Sequence, residues 1–88
     1  MRYRILYTAD FEKAAKRYGR VIRKRLDEAL GLLEEDPFHP QLHTKPLTGP
    51  LKGYYSFRLG RDYRVIFVFR GESTIHLLRI AKRDEIYR

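Results

Sequence analysis

A chain of 88 residues, 43% of them hydrophobic, is long enough for one compact core and too short for two. The absence of cysteine excludes a disulfide framework and thiolate metal sites, and no apolar run has the length of a signal peptide or a membrane span, so a soluble, cytoplasmic protein is expected. Nineteen Lys and Arg against eleven Asp and Glu leave a formal charge of +8, which calls for a polyanionic partner, a nucleic acid or an acidic protein, with an inert basic surface as the alternative.

In chain order, Tyr3-Arg4-Ile5-Leu6-Tyr7 reads as a short strand, and Thr8 has the side chain to cap a helix behind it. That helix carries Phe11, Ala14, Ala15 and Tyr18 on one stripe and stops at Gly19. A second begins near Arg20 and buries Ile22, Leu26, Ala29, Leu30 and Leu33 at helical spacing, until Asp36-Pro37 ends it by the steric restriction on residues before proline. Residues 13–25 hold seven bases, whereas Asp27, Glu28, Glu34, Glu35 and Asp36 make the next stretch acidic. The bases fall mainly on the solvated side of this helical hairpin, where solubility or a protein partner competes with a nucleic-acid surface as their reason. Residues 37–53 show no regular period and read as a long connection that Leu42, Leu47 and Leu51 pin to the core, leaving His39, His43, Lys45 and Lys52 for solvent or ligand. No repeat, linker or low-complexity run divides the chain, so residues 1–88 are read as one domain, helical first and stranded second, an α+β order.

Two strands follow. A three-residue loop, Gly60-Arg61-Asp62, pairs Leu59 with Tyr63 and keeps Tyr55, Phe57 and Leu59 on one face with Tyr63, Val65 and Phe67. Arg58 then sits opposite Arg64, about 5 Å apart at Cβ. With Gly71-Glu72 as a two-residue turn, Val65 meets Leu78 and Arg64 meets Arg79, and Arg83 points the same way. Four arginines thus converge on the face of a three-stranded meander that the helices leave open. Long side chains splaying into solvent are one reading of such a cluster. A site for a phosphodiester is the stronger one, because guanidinium groups stay charged and fork onto phosphate oxygens.

Four stretches, Lys45-Pro46-Leu47-x-Gly49, Lys52-Gly53-Tyr54, Arg58-Leu59-Gly60-x-Asp62-Tyr63-Arg64-Val65-Ile66 and Lys82-Arg83-x3-Tyr87, resemble the RelE/ParE toxin superfamily, and in particular its RelE-like, ribosome-dependent mRNA endonucleases. The resemblance spans essentially the whole chain. It implies a RelE-like fold, in which an N-terminal strand and a helix hairpin pack on an antiparallel sheet ending in a three-stranded meander. It also implies the toxin half of a toxin–antitoxin pair, which cuts mRNA in the ribosomal A site without a metal or other cofactor. The expected partners are mRNA, ribosomal RNA and a cognate acidic antitoxin, with no membrane.

By the same resemblance, Arg64 matches the catalytic arginine, Arg58 a basic residue on the preceding strand, Arg83 the arginine near the end of the last strand, and Tyr87 the tyrosine that stacks on a base or moves a proton. Lys45, Lys52, Arg61, Arg79 and Lys82 are the accompanying candidates for RNA contact. The match is incomplete: Ser56 replaces a strand lysine of some members, the Arg83–Tyr87 spacing is shorter than in some, no loop histidine aligns with those of the histidine-using relatives, and the chain ends one residue after Tyr87. Tyr87, Lys45, Lys52 and Lys82 remain open as the groups that move protons. A ParE-like inhibitor of DNA gyrase, or an inactive RNA-binding relative, shares the same core motif.

Overall fold

The structure, a computed structural model, describes residues 2–82. Strand β1 (Arg4–Tyr7) leads into helix α1 (Ala9–Arg17), whose first turn is closed by Thr8: its Oγ1 accepts from the Phe11 amide at 3.0 Å. Helix α2 (Gly19–Glu35) starts from Gly19 at φ +81, a value that lets two helices meet without a linker. It ends at Asp36, extended at φ −154 ahead of Pro37. The connection after it is more ordered than its lack of period suggested. Two 3-10 turns, Pro40–Leu42 and Gly49–Leu51, each place proline where no amide donor is needed, and between them Lys45–Pro46 forms a short strand, β2. Strands β3 (Tyr55–Leu59), β4 (Tyr63–Arg70) and β5 (Thr74–Lys82) complete the chain as described.

The five strands lie in the order β1-β5-β4-β3-β2. The three C-terminal strands form the expected antiparallel meander, and the place of β1, which the sequence left open, is parallel to β5 with Ile5 beside Ile75. The sheet is therefore mixed, not wholly antiparallel. One face packs against both helices: Phe57, Val65, Phe67, Ile75 and Leu77 meet Phe11, Ala15, Leu26, Ala29 and Leu33 in the main core, which Leu42 joins from the connection. On the other face, Leu47 and Leu51 fold back over Ile66 and Ala81 in a second, smaller cluster. The connection is thus pinned to both faces of the sheet, and its return over the outer face decides what surrounds the arginines.

Candidate functional site

The β3–β4 register is the one that the alternation dictates: Leu59 pairs with Tyr63, Phe57 with Val65, and Arg58 stands directly across from Arg64. The β4–β5 register departs from expectation twice. Arg70 pairs with Thr74, so the loop is Gly71-Glu72-Ser73 rather than two residues, and Leu78 is an extra residue in a bulge, because Phe67 pairs with Leu77 but Ile66 with Arg79. Arg64 consequently faces Ala81 rather than Arg79, and Val65 faces Ile80 rather than Leu78. The two one-residue offsets add to two, which conserves the face and moves Arg79 by one row.

The outer face is therefore a small grid. Arg58, Arg64 and Ala81 form one row across β3, β4 and β5, and Lys45, Ser56, Ile66 and Arg79 form the next across β2 to β5. Arg79 lies diagonal to Arg64, a spacing of roughly 7–8 Å that long side chains bridge. Large basic residues alternate with small or apolar ones, so the guanidinium stems have room between Ser56 and Ala81. Exposure separates the bases: Arg64 retains 1% of its surface, Arg58 is half-buried, and Arg79 and Lys45 are exposed. Like charges directly opposite each other on a ladder are destabilising, so setting Arg58 across from Arg64 carries a cost. Among the described residues, the Oγ of Ser56 and the Nε of Arg58 are buried without a hydrogen-bond partner. Anionic oxygens placed over this grid would meet charge-assisted donors from Arg58 and Arg79, with the charge of the buried Arg64 between them.

The other candidates lie around this centre. Arg61 is exposed on the β3–β4 loop, and Lys52 is exposed just after the second 3-10 turn. Lys82 pairs with Tyr63 and shares its helix-side face, away from the arginine grid. His39 is turned to a local task, its Nδ1 accepting from the Gln41 amide at 3.1 Å. Arg83 and Tyr87 lie outside the described residues. Sequence reasoning missed the depth at which Arg64 and Ser56 sit and the strand that brings Lys45 level with Ser56. The Lys-Pro dipeptide, extended by its proline, was the available signal for that strand. Among the described residues, no three His, Cys, Asp or Glu side chains gather as metal ligands, and no helix is long and apolar enough to cross a membrane.

Comparison with known proteins fits this geometry. The sequence profile described as the ParE toxin of the type II toxin–antitoxin system parDE matches residues 2–87. No curated protein sequence matches significantly. Among solved structures, the chain is similar to the archaeal RelE–RelB complex from Pyrococcus horikoshii OT3 at 28% identity and a TM-score of 0.80, covering 94% of this chain and 97% of that one. It is similar to the RelBE2 toxin–antitoxin complex from Mycobacterium tuberculosis at 26% identity and TM-score 0.76, with 94% and 100% covered. A YoeB/ParE toxin from Agrobacterium tumefaciens shares the fold at 15% identity and TM-score 0.78, over 91% of this chain and 98% of that one.

Proposed function

The chain belongs to the ParE toxin family of type II toxin–antitoxin systems, within the RelE/ParE superfamily, and from that premise we propose that it is a ribosome-dependent mRNA endonuclease of the RelE type. The observation that carries this reading is the buried Arg64, flanked by Arg58 across the strand and Arg79 on the diagonal. A phosphoryl-transfer site gains from donors fixed before the charge develops, and guanidinium groups set side by side on rigid strands are such donors.

In the proposed reaction, the ribose 2′-oxygen attacks the adjacent phosphorus while its proton passes to a base. The bond from phosphorus to the 5′-oxygen breaks, that oxygen takes a proton, and a 2′,3′-cyclic phosphate and a 5′-OH remain. Arg64 and Arg58 stabilise the charge growing on the non-bridging oxygens, and Arg79 holds the strand at the rim. Lys45, level with Ser56 on β2, is the described lysine nearest in the grid to the β3 arginine. Arg83 and Tyr87 complete the proposed machinery by resemblance alone, as do Lys52, Arg61 and Lys82 among the RNA contacts. Docking on ribosomal RNA supplies the orientation that an open grid lacks. The cognate antitoxin, an acidic protein, is the proposed inhibitor of this basic surface, and the cytoplasm is the compartment where mRNA and ribosomes meet it.

The family profile itself favours a second reading, ParE-like inhibition of DNA gyrase. Incubating the protein with translating ribosomes and mapping mRNA ends separates the two. Codon-positioned cuts with 5′-OH ends are expected, together with a rate at least ~10²-fold lower for Arg64→Ala, the scale of one lost transition-state donor. Intact mRNA alongside arrested gyrase supports the second reading and sinks the first.

A further inference from the structure

The tip of the β3–β4 hairpin holds an arginine that the sequence did not connect with the site. Gly60 opens the loop at φ +71, and the guanidinium of Arg25, from α2, lies against it: Nη1 is 3.2 Å, Cδ 3.5 Å and Cζ 3.7 Å from where a Cβ would stand. Arg25 follows Ile22 and precedes Ala29 by about one helical turn each, at the border of the buried stripe, which aims it past the sheet edge at this loop. Glycine is favoured here by its backbone angle, and it leaves the planar cation room to lie close to the loop. Arg25 and the adjacent Arg61 are both exposed, and among the described residues no carboxylate lies within ion-pairing distance of either, Asp62 included. Arg25 lies alongside the loop with its N–H donors available.

Beside this tip lies the arginine grid, whose Arg58–Arg64 row is one residue pair from the loop. We propose that Arg25 and Arg61 form a second phosphate subsite, which holds a backbone phosphate of the RNA strand whose scissile phosphate lies on the grid. This inference rests on the endonuclease reading. An RNA strand is favoured over an acidic protein because a planar guanidinium without a carboxylate partner, next to a second one, suits the repeated oxygens of a phosphodiester backbone.

The test is binding of a short 2′-O-methyl oligoribonucleotide, which cannot be cut, to the intact protein between about 50 and 200 mM salt. Arg25→Gln is expected to weaken affinity about fivefold at 0.1 M salt and to flatten the slope of log K against log salt by about 0.7, the share of one phosphate contact on a single strand. Arg25→Lys keeps the slope. Arg2→Gln, a charge-matched control at the far end of α2 where Arg2 pairs with Glu35 at 3.7 Å, leaves both nearly unchanged. An Arg25→Gln slope equal to that of Arg2→Gln, with Arg64→Ala still abolishing cleavage, overturns the subsite alone. The subsite is likewise overturned if Arg25→Gln spares RNA binding and weakens only antitoxin binding. Intact mRNA with the wild-type protein on translating ribosomes overturns the nuclease reading and the RNA assignment of this subsite with it.

Discussion

Ser56 and Arg58 alternate along the outer face of β3, and each places a polar atom, Oγ and Nε, in the interior without a hydrogen-bond partner among the described residues. A buried polar group without a hydrogen bond costs about 1–3 kcal/mol. At Arg58 that cost has a reason in the proposed chemistry, since the same guanidinium faces Arg64 across the ladder. At Ser56 the hydroxyl holds nothing together, and its small volume between Lys45, Ile66 and Arg58 is what the grid uses. Ser56→Ala is accordingly expected to leave the urea midpoint unchanged or to raise stability by up to ~1 kcal/mol, because a desolvated hydroxyl is removed and no bond is lost. A loss beyond ~1 kcal/mol in the same titration would show that the hydroxyl has a structural partner. The Arg58–Arg64 pair was legible in the sequence because Phe57, Leu59, Tyr63 and Val65 permit one register only. The burial of Ile66 and Ala81 on the outer face was not, since it depends on Leu47 and Leu51 returning from the connection after α2, a long-range contact that leaves no mark on the β3–β4 pattern.

Among the elements, α2 is charged against its own dipole. Its first turn has no acid and its last turn no base, while Arg20, Arg23, Lys24 and Arg25 crowd the positive end, and Glu34 and Glu35 the negative one. Such a charge within the first or last turn, as Arg20, Glu34 and Glu35 are, costs roughly 0.3–1 kcal/mol at low salt. The N-terminus also lacks a side-chain cap. Helix α1 shows the ordinary arrangement, with Asp10 and Glu12 in its first turn, Lys16 and Arg17 in its last, and Thr8 as its cap. The contrast fits the binding role proposed for this basic surface. Arg20→Glu should raise the thermal midpoint by a few degrees at low salt, as expected for ~1 kcal/mol in a domain of this size, while weakening oligoribonucleotide binding. A lower midpoint would show that Arg20 contributes to the fold instead. Helix positions and caps were legible because periodicity, Thr8 and Asp36-Pro37 are local signals. The last hairpin was not: a three-residue loop at Gly71 and a bulge at Leu78 have no composition that sets them apart, and the face of Arg79 came out right only because the two offsets sum to an even number.

At the scale of the molecule, a charge of +8 sits on a body with a radius of gyration of 12.1 Å. Exposed ion pairs among the described residues, such as Arg2–Glu35 at 3.7 Å and Lys16–Glu12 at 3.9 Å, are of the kind worth well under 1 kcal/mol, so they relieve little of it. Self-repulsion on this scale lowers the stability of the compact state, and mobile ions reduce it, the Debye length falling from about 10 Å at 0.1 M to about 3 Å at 1 M. The melting temperature of the free protein is therefore expected to rise with sodium chloride. Bound to its acidic antitoxin the chain should behave in the opposite way. A ligand that binds the folded state alone adds about 2.7 kcal/mol at a hundred times its dissociation constant, on the order of 10 °C or more for a domain this small, and because that binding is electrostatic, salt removes it. Scanning calorimetry across the salt series should show the two curves converging, free toxin rising and complex falling. Parallel curves would mean that the antitoxin is held by apolar burial and not by the basic surface on which both the proposed cleavage and its inhibition depend.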